Sequence, residues 1–204
     1  MVVLGAGTGV GKTWASTSVL RFLRVSGITV AARKPVQSYR PCDDTTDAEV
    51  LAGASGEAPE EVCPRDRWYG VPMAPPIAAA FLGMAPPTLD ELMAGVRWPK
   101  PRVAVGLVET VGGPRSPLAA DADSAALAQA LEPDLAVLVA HAGLGAINAV
   151  RLSAPVVPRP LVVFLSHFDN SDVQDRNLRW LQAESYDVVV DPAELARRVL
   201  GTRR

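Results

Sequence analysis

The chain opens on three apolar residues, Val2-Val3-Leu4, that stop at a glycine. So short and apolar a run fits a strand buried on both faces. A Gly-rich stretch, Gly5-Ala6-Gly7-Thr8-Gly9-Val10-Gly11-Lys12-Thr13, follows, and then a helical pattern continues through Val25. Val19, Phe22 and Leu23 share one face of that pattern, and Gly27 is a natural stop. Ile28 to Ala32 reads as a second buried strand; it runs into Lys34-Pro35, where proline disfavours a helix. Thr46 closes a polar loop and is placed to cap a short helix from Asp47 to Gly53. Residues 58 to 76 are proline-rich and show little periodicity. Ile77 to Leu82 is helical in pattern, and Thr88 opens another helix with Glu91 completing its capping box.

Continuous apolar runs at Val103 to Val108, Leu135 to Ala140 and Leu161 to Leu165 predict three further buried strands. Helical patterns at Ser124 to Leu131 and Asn177 to Gln182 lie between or after them. Tyr186 to Val190 adds a last strand before a helix with Pro192 at its first position. Strands apolar on both faces, alternating with helices, imply an α/β fold: a mostly parallel sheet with helices on both faces. With no repeat, linker or low-complexity tract, one domain over residues 1–204 is the simplest account.

Composition narrows the class. Apolar residues make up 49% and charged residues 21%, enough to bury a core without staples and too apolar for disorder. A net charge of −2 offers no basic field, so no nucleic-acid partner is expected. Cys42 and Cys63 lie far apart with no paired histidines, which fits two free thiols in a reducing compartment. No apolar run reaches the length of a membrane span and the start carries no basic n-region, so the expectation is a cytoplasmic protein with no membrane partner.

The strand, the Gly-rich loop, Gly11-Lys12-Thr13 and the helix together make a P-loop context of the nucleoside-triphosphatase type. Backbone N–H groups of Thr8, Gly9, Val10 and Gly11 would cradle phosphate oxygens at a helix N-terminus. Lys12 would reach the β- and γ-phosphates, and the Thr13 hydroxyl would hold Mg²⁺. Ala6 stands where the pattern has glycine, with Gly5 and Gly7 on either side. The chain has 17 arginines and only three lysines, Lys12, Lys34 and Lys100. Two of the three follow strands, where a compact point charge suits a migrating phosphoryl group. Glu109, at the end of a buried strand and ahead of Val111-Gly112-Gly113, is a candidate metal ligand. Asp47 is a second candidate, with Asp43 and Asp44 as rivals. His141 and His167 read as incidental or hydrogen-bonded loop residues.

These blocks resemble dethiobiotin synthetase. The resemblance rests on Thr8-Gly9-Val10-Gly11-Lys12-Thr13, Lys34-Pro35-Val36-Gln37-Ser38, Thr46-Asp47-Ala48-Glu49, the segment 72–79, Val108 to Gly113, and Leu144-Gly145-Ala146-Ile147-Asn148. They occur in the family's order over roughly the first three quarters of the chain. The resemblance implies a homodimeric ligase of biotin synthesis with the site at the subunit interface. It would convert 7,8-diaminononanoate, CO₂ and ATP, with Mg²⁺, to dethiobiotin, ADP and phosphate through a carbamate. Lys12 and Lys34 would be catalytic. Thr13, Asp47 and Glu109 would hold the metal. Trp14 and Gly112 would join the loop in nucleotide binding. Ser38 would contact the carbamate or diamine, and Gly145, Ala146, Ile147 and Asn148 of a second subunit would receive the substrate carboxylate.

The chain departs from the family pattern at Tyr39 and Thr110, where glycine is usual, and in a short proline-containing segment between Asn148 and Leu161. These departures motivate an alternative, a phosphate-binding paralogue without turnover. A nucleotide-switch ATPase is a second alternative, but the additional lysine of those loops is absent: Gly7 and Thr8 stand there.

Overall fold

Six parallel strands form the central sheet of a computed structural model that describes residues 1–201. β1 (Val2–Gly5) lies between β5 (Val105–Glu109) and β6 (Ala136–His141). β2 (Val30–Arg33) flanks β5 at one edge, while β7 (Leu161–Ser166) and β8 (Val188–Val189) extend the other. In this register Val2 stands opposite Val108 on one side and Ala136 on the other.

Strand periodicity of two sorts the side chains onto two faces. Val3, Val137 and Phe164 pack beneath Val19, Leu20 and Leu23 of α1 (Lys12–Val25), Leu51 of α2 (Asp47–Ser55) and Leu195 of α9 (Pro192–Gly201). Val62 of the short α3 (Pro59–Val62) joins this cluster beside β2. On the opposite face Val2, Leu4, Leu138 and Val163 meet Ala128 of α6 (Ser124–Ala130), Val150 of α7 (Ala146–Ser153) and Leu181 of α8 (Asp172–Ala183). Both faces are therefore covered, which is why the strands read as unbroken apolar runs.

A second, two-stranded parallel sheet pairs β3 (Gln37–Ser38) with β4 (Trp68–Tyr69). It packs with α4 (Pro75–Phe81) and α5 (Leu89–Gly95) through Tyr69, Ala78 and Leu92. Neither short strand nor α3 was expected, because two residues carry no period and their pairing is wholly tertiary. α4 begins at Pro75 rather than Ile77, since proline fits the first helical turn. α8 begins five residues before the expected Asn177; its first turn, Asp172-Val173-Gln174-Asp175, is too polar to show an apolar stripe. No helix among the described residues is long and apolar enough to cross a membrane. Cys42 is exposed, Cys63 is buried, and both are free.

The order of the sheet positions the site. From β1 the chain crosses to β2 on one side, whereas β6 lies on the other. The carboxyl end of β1 is thus a topological switch point, where open α/β sheets form their ligand crevice. The Gly-rich loop leaves β1 there.

Candidate active site

At the carboxyl end of β1 the backbone must turn sharply to reach α1. A Cβ on Gly5 would lie 2.6 Å from the Gly7 carbonyl oxygen and 2.9 Å from Lys12 Nζ. Gly5 therefore provides the close approach for which the loop needs a glycine, and Ala6 is accommodated, donating its N–H to Val139. The loop bends back over Lys12, whose ammonium donates to the Gly7 carbonyl at 3.2 Å.

Lys34 follows β2 and is almost wholly buried, with 2% of its surface exposed. Its Nζ lies 2.5 Å from Asp47 Oδ2 and 2.7 Å from Glu109 Oε1. Glu109, at the end of β5, is completely buried, and its Oε2 accepts from the Ser16 hydroxyl at 2.7 Å. The capping box of Thr46 and Glu49 starts α2 at Asp47 and so aims that carboxylate at Lys34. Gln37 Oε1 accepts from the Ala48 N–H at 3.0 Å and holds the same turn. Asp43 and Asp44 are exposed and stay outside the cluster, Asp43 accepting instead from the Arg40 N–H.

Two lysines here balance two carboxylates, but they are held differently. Burial, followed by the neighbouring Lys34 charge, lowers the Lys12 ammonium to about 8. Burial also disfavours the Lys34 charge, yet Asp47 and Glu109 together outweigh it and hold that ammonium above its ordinary value. The Lys34 charge, in turn, keeps the Asp47 carboxyl below the usual carboxylate range.

Thr13 Oγ1 lies 2.8 Å from Asp47 Oδ1 and 2.9 Å from Glu109 Oε1. A hydroxyl has one hydrogen and satisfies one of these carboxylates at a time. The three groups offer only hard oxygen donors, a set that fits Mg²⁺, which takes one or two carboxylates and completes its shell with phosphate and water.

A cavity of about 580 Å³ opens above this cluster. Thr8, Gly9, Gly11, Lys12, Thr13, Trp14, Lys34, Ser38, Asp47 and Gly112 all line it. Val10 and Glu109 do not: Val10 turns to the core, and Glu109 lies below the floor. Ser38 donates to the Met73 carbonyl at 2.6 Å, fixing the cavity wall to the segment before α4. Gly145, Ala146, Ile147 and Asn148 lie at the start of α7 and are not part of this cavity. Tyr39 turns away from the cavity and packs edge-on against Trp68, ring centres 6.3 Å apart. Thr110 is buried, bonded through its N–H to Val3, and also off the cavity wall.

Sequence reasoning missed two residues and gave a third no place in the site. Ser16 stands one helical turn after Thr13, a spacing that places both on one face. Ser116 lines the cavity from a distant segment that no local pattern marks, and His167, read from the sequence as an incidental or hydrogen-bonded loop residue, is hydrogen-bonded to Ser166 and lines the cavity as well.

A profile of the AAA domain family matches residues 1–162. The ATP-dependent dethiobiotin synthetase BioD of Xanthomonas oryzae pv. oryzae (strain PXO99A) is 36% identical over 161 residues, 76% of this chain and 70% of that protein. The ATP-dependent dethiobiotin synthetase BioD of Anaeromyxobacter dehalogenans (strain 2CP-C) is likewise 36% identical over 161 residues, 78% of this chain and 70% of that protein. Among solved structures, the signal recognition particle receptor FtsY from Elizabethkingia anophelis superposes with a TM-score of 0.53 at 12% identity. That match covers 97% of this chain and 64% of the FtsY chain, and it shows the fold alone. With this motif order, this phosphate-loop geometry and these relatives, the chain belongs to the AAA domain family and to the dethiobiotin synthetase family.

Proposed function

We propose that this chain is an ATP-dependent ligase that closes the ureido ring of dethiobiotin from 7,8-diaminononanoate and CO₂. The observation that carries the reading is the buried Lys34–Glu109–Asp47 cluster under a phosphate loop, in a chain 36% identical to dethiobiotin synthetases. One substrate amine adds to CO₂ and loses a proton, giving a carbamate. The γ-phosphoryl group of ATP passes to a carbamate oxygen, with ADP leaving. The second amine attacks the carbamoyl carbon and loses a proton to solvent or to the departing phosphate, and the ring closes.

Phosphoryl transfer of this kind asks the protein mainly for position and charge. Lys12 and the backbone of Thr8, Gly9, Val10 and Gly11 hold the triphosphate, with Trp14 and Gly112 beside it. Lys34, anchored by two carboxylates, keeps a fixed positive charge at the point where the carbamate and the γ-phosphoryl oxygens meet. Thr13, Asp47 and Glu109 would hold Mg²⁺, which when bound neutralises phosphate charge. Ser38 orients the carbamate or diamine from the cavity wall. In a homodimer, Gly145–Asn148 of a second copy would receive the substrate carboxylate at the start of α7. Support for that arrangement is the full exposure of the preceding Leu144, at 99%, and the left-handed Gly145 that caps the helix. Residues 1–204 act as one unit in this reading.

Purified protein incubated with diaminononanoate, bicarbonate, Mg²⁺ and each nucleoside triphosphate in turn is expected to yield dethiobiotin by mass with ATP. Triphosphate binding without product from any of them would overturn the reading and favour a paralogue without turnover. The orientation of Tyr39 away from the cavity speaks against that alternative.

A further inference from the structure

Ser166 ends β7 and is 1% exposed, 156 residues along the chain from Val10, yet its Oγ lies 2.6 Å from the Val10 carbonyl oxygen. The same Oγ is 3.2 Å from the Ala140 carbonyl oxygen and 3.1 Å from His167 Nδ1. A serine hydroxyl donates one hydrogen and accepts others. Both carbonyls are acceptors only, and the shorter contact takes the hydrogen. His167 Nδ1 then serves as the donor to Ser166, so its proton sits on Nδ1.

His141 completes the arrangement. Its ring stacks on that of His167, centres 4.9 Å apart and planes within 16°. His141 Nδ1 accepts from the Gly143 N–H at 3.0 Å, which requires that nitrogen to be unprotonated. His167 is fixed a second time, because Gln174 Nε2 donates to its carbonyl at 2.9 Å. The loop also sits hard against this pair. A Cβ on Gly11, whose φ is +85°, would lie 3.2 Å from both His167 Cε1 and Ser166 Cβ.

We propose that Ser166, oriented by His167, is a positioning residue that sets the phosphate loop. A peptide group is planar and trans, so its C=O and the next N–H point in opposite directions. Holding the Val10 carbonyl toward β7 therefore turns the Gly11 N–H away from β7, and Gly11 lines the triphosphate cavity. Without the hydroxyl, that peptide has no tether to the sheet and must be ordered by the ligand. The inference rests on the triphosphate reading of this cavity, and it assigns no contact with the nucleotide base.

Inorganic tripolyphosphate and ATP, each with Mg²⁺, separate this role from others. Ser166→Ala is expected to bind both about five- to tenfold more weakly, by the same factor, with the melting temperature of the free protein lowered by a few degrees as the buried partners of the hydroxyl are left unpaired. His167→Leu is expected to lose about two- to threefold, and His167→Asn, whose amide nitrogen replaces Nδ1 as donor, to recover wild-type affinity. A loss confined to ATP would indicate base contact and overturn the proposal. So would wild-type tripolyphosphate affinity in Ser166→Ala, or a loss in His167→Asn equal to that in His167→Leu. Wild-type protein that binds neither ligand would instead remove the triphosphate reading itself.

Discussion

Lys12→Ala is expected to lower dethiobiotin formation by about 10³-fold or more while leaving the fold at least as stable as before. The two halves of that result come from one fact. Burial makes the Lys12 charge costly in the free protein and lowers its pKa to about 8. An ammonium whose folded pKa lies below its unfolded value of 10.5 opposes folding wherever it must stay charged. That penalty is fully present below about pH 8 and is relieved as pH rises from about 8 toward 10.5. Alanine removes it, so the urea midpoint should hold or rise. The charge is therefore kept for a ligand rather than for the fold. The same shift predicts proton uptake: at pH 8 to 9 tripolyphosphate should recharge Lys12, and calorimetry in buffers of different ionisation enthalpy should register the proton. Turnover near wild type in Lys12→Ala would remove Lys12 from the catalytic residues, and no proton uptake would place it away from the phosphates.

Much of the frame was legible because strands buried on both faces leave short, valine-rich apolar runs bounded by glycine, proline and polar residues. The runs at Val2, Leu135 and Leu161 read as strands by that length and composition rather than by period. The region from 58 to 76 was opaque for the opposite reason. β4 is two residues long, and it exists because Gln37 and Ser38 offer it an edge. The acids between 43 and 47 could not be ranked by type, since Asp43, Asp44 and Asp47 are chemically equal. The capping box of Thr46 and Glu49 does rank them, because it decides which acid begins the helix and faces Lys34. His167 was legible only as an incidental or hydrogen-bonded loop residue, and Ser166 not as a site residue, because Val10, the partner of Ser166, is brought to it only by the order of the strands. Gly145 to Asn148 form a legible block, but one chain does not bring them to the cavity.

Lys34→Ala is expected to behave unlike Lys12→Ala, losing stability and turnover together. Glu109 is completely buried, and without Lys34 its carboxylate keeps, among the described residues, the hydrogen bonds of the Thr13 and Ser16 hydroxyls and the more distant charge of Lys12, with no direct ion pair. Breaking a buried pair by removing one partner costs about 3–5 kcal/mol, because the other charge stays uncompensated. Asp47, whose side chain is 42% exposed, adds less, since water can solvate it. The pKa directions carry the same sign. Lys34 is raised, so its contribution is fully present below its unfolded value of 10.5 and is lost only as pH climbs through the still higher folded value. The double variant Lys34→Ala/Glu109→Gln removes the stranded charge and should recover most of the urea midpoint. It should not recover turnover, which is expected to stay about 10²–10³-fold below that of Glu109→Gln alone, the variant that accounts for the loss of this metal-holding carboxylate, with ATP affinity much less affected. Recovery of both would make Lys34 a structural counter-ion for Glu109. Recovery of stability alone would separate the two roles and leave the fixed charge of Lys34 to the phosphoryl transfer.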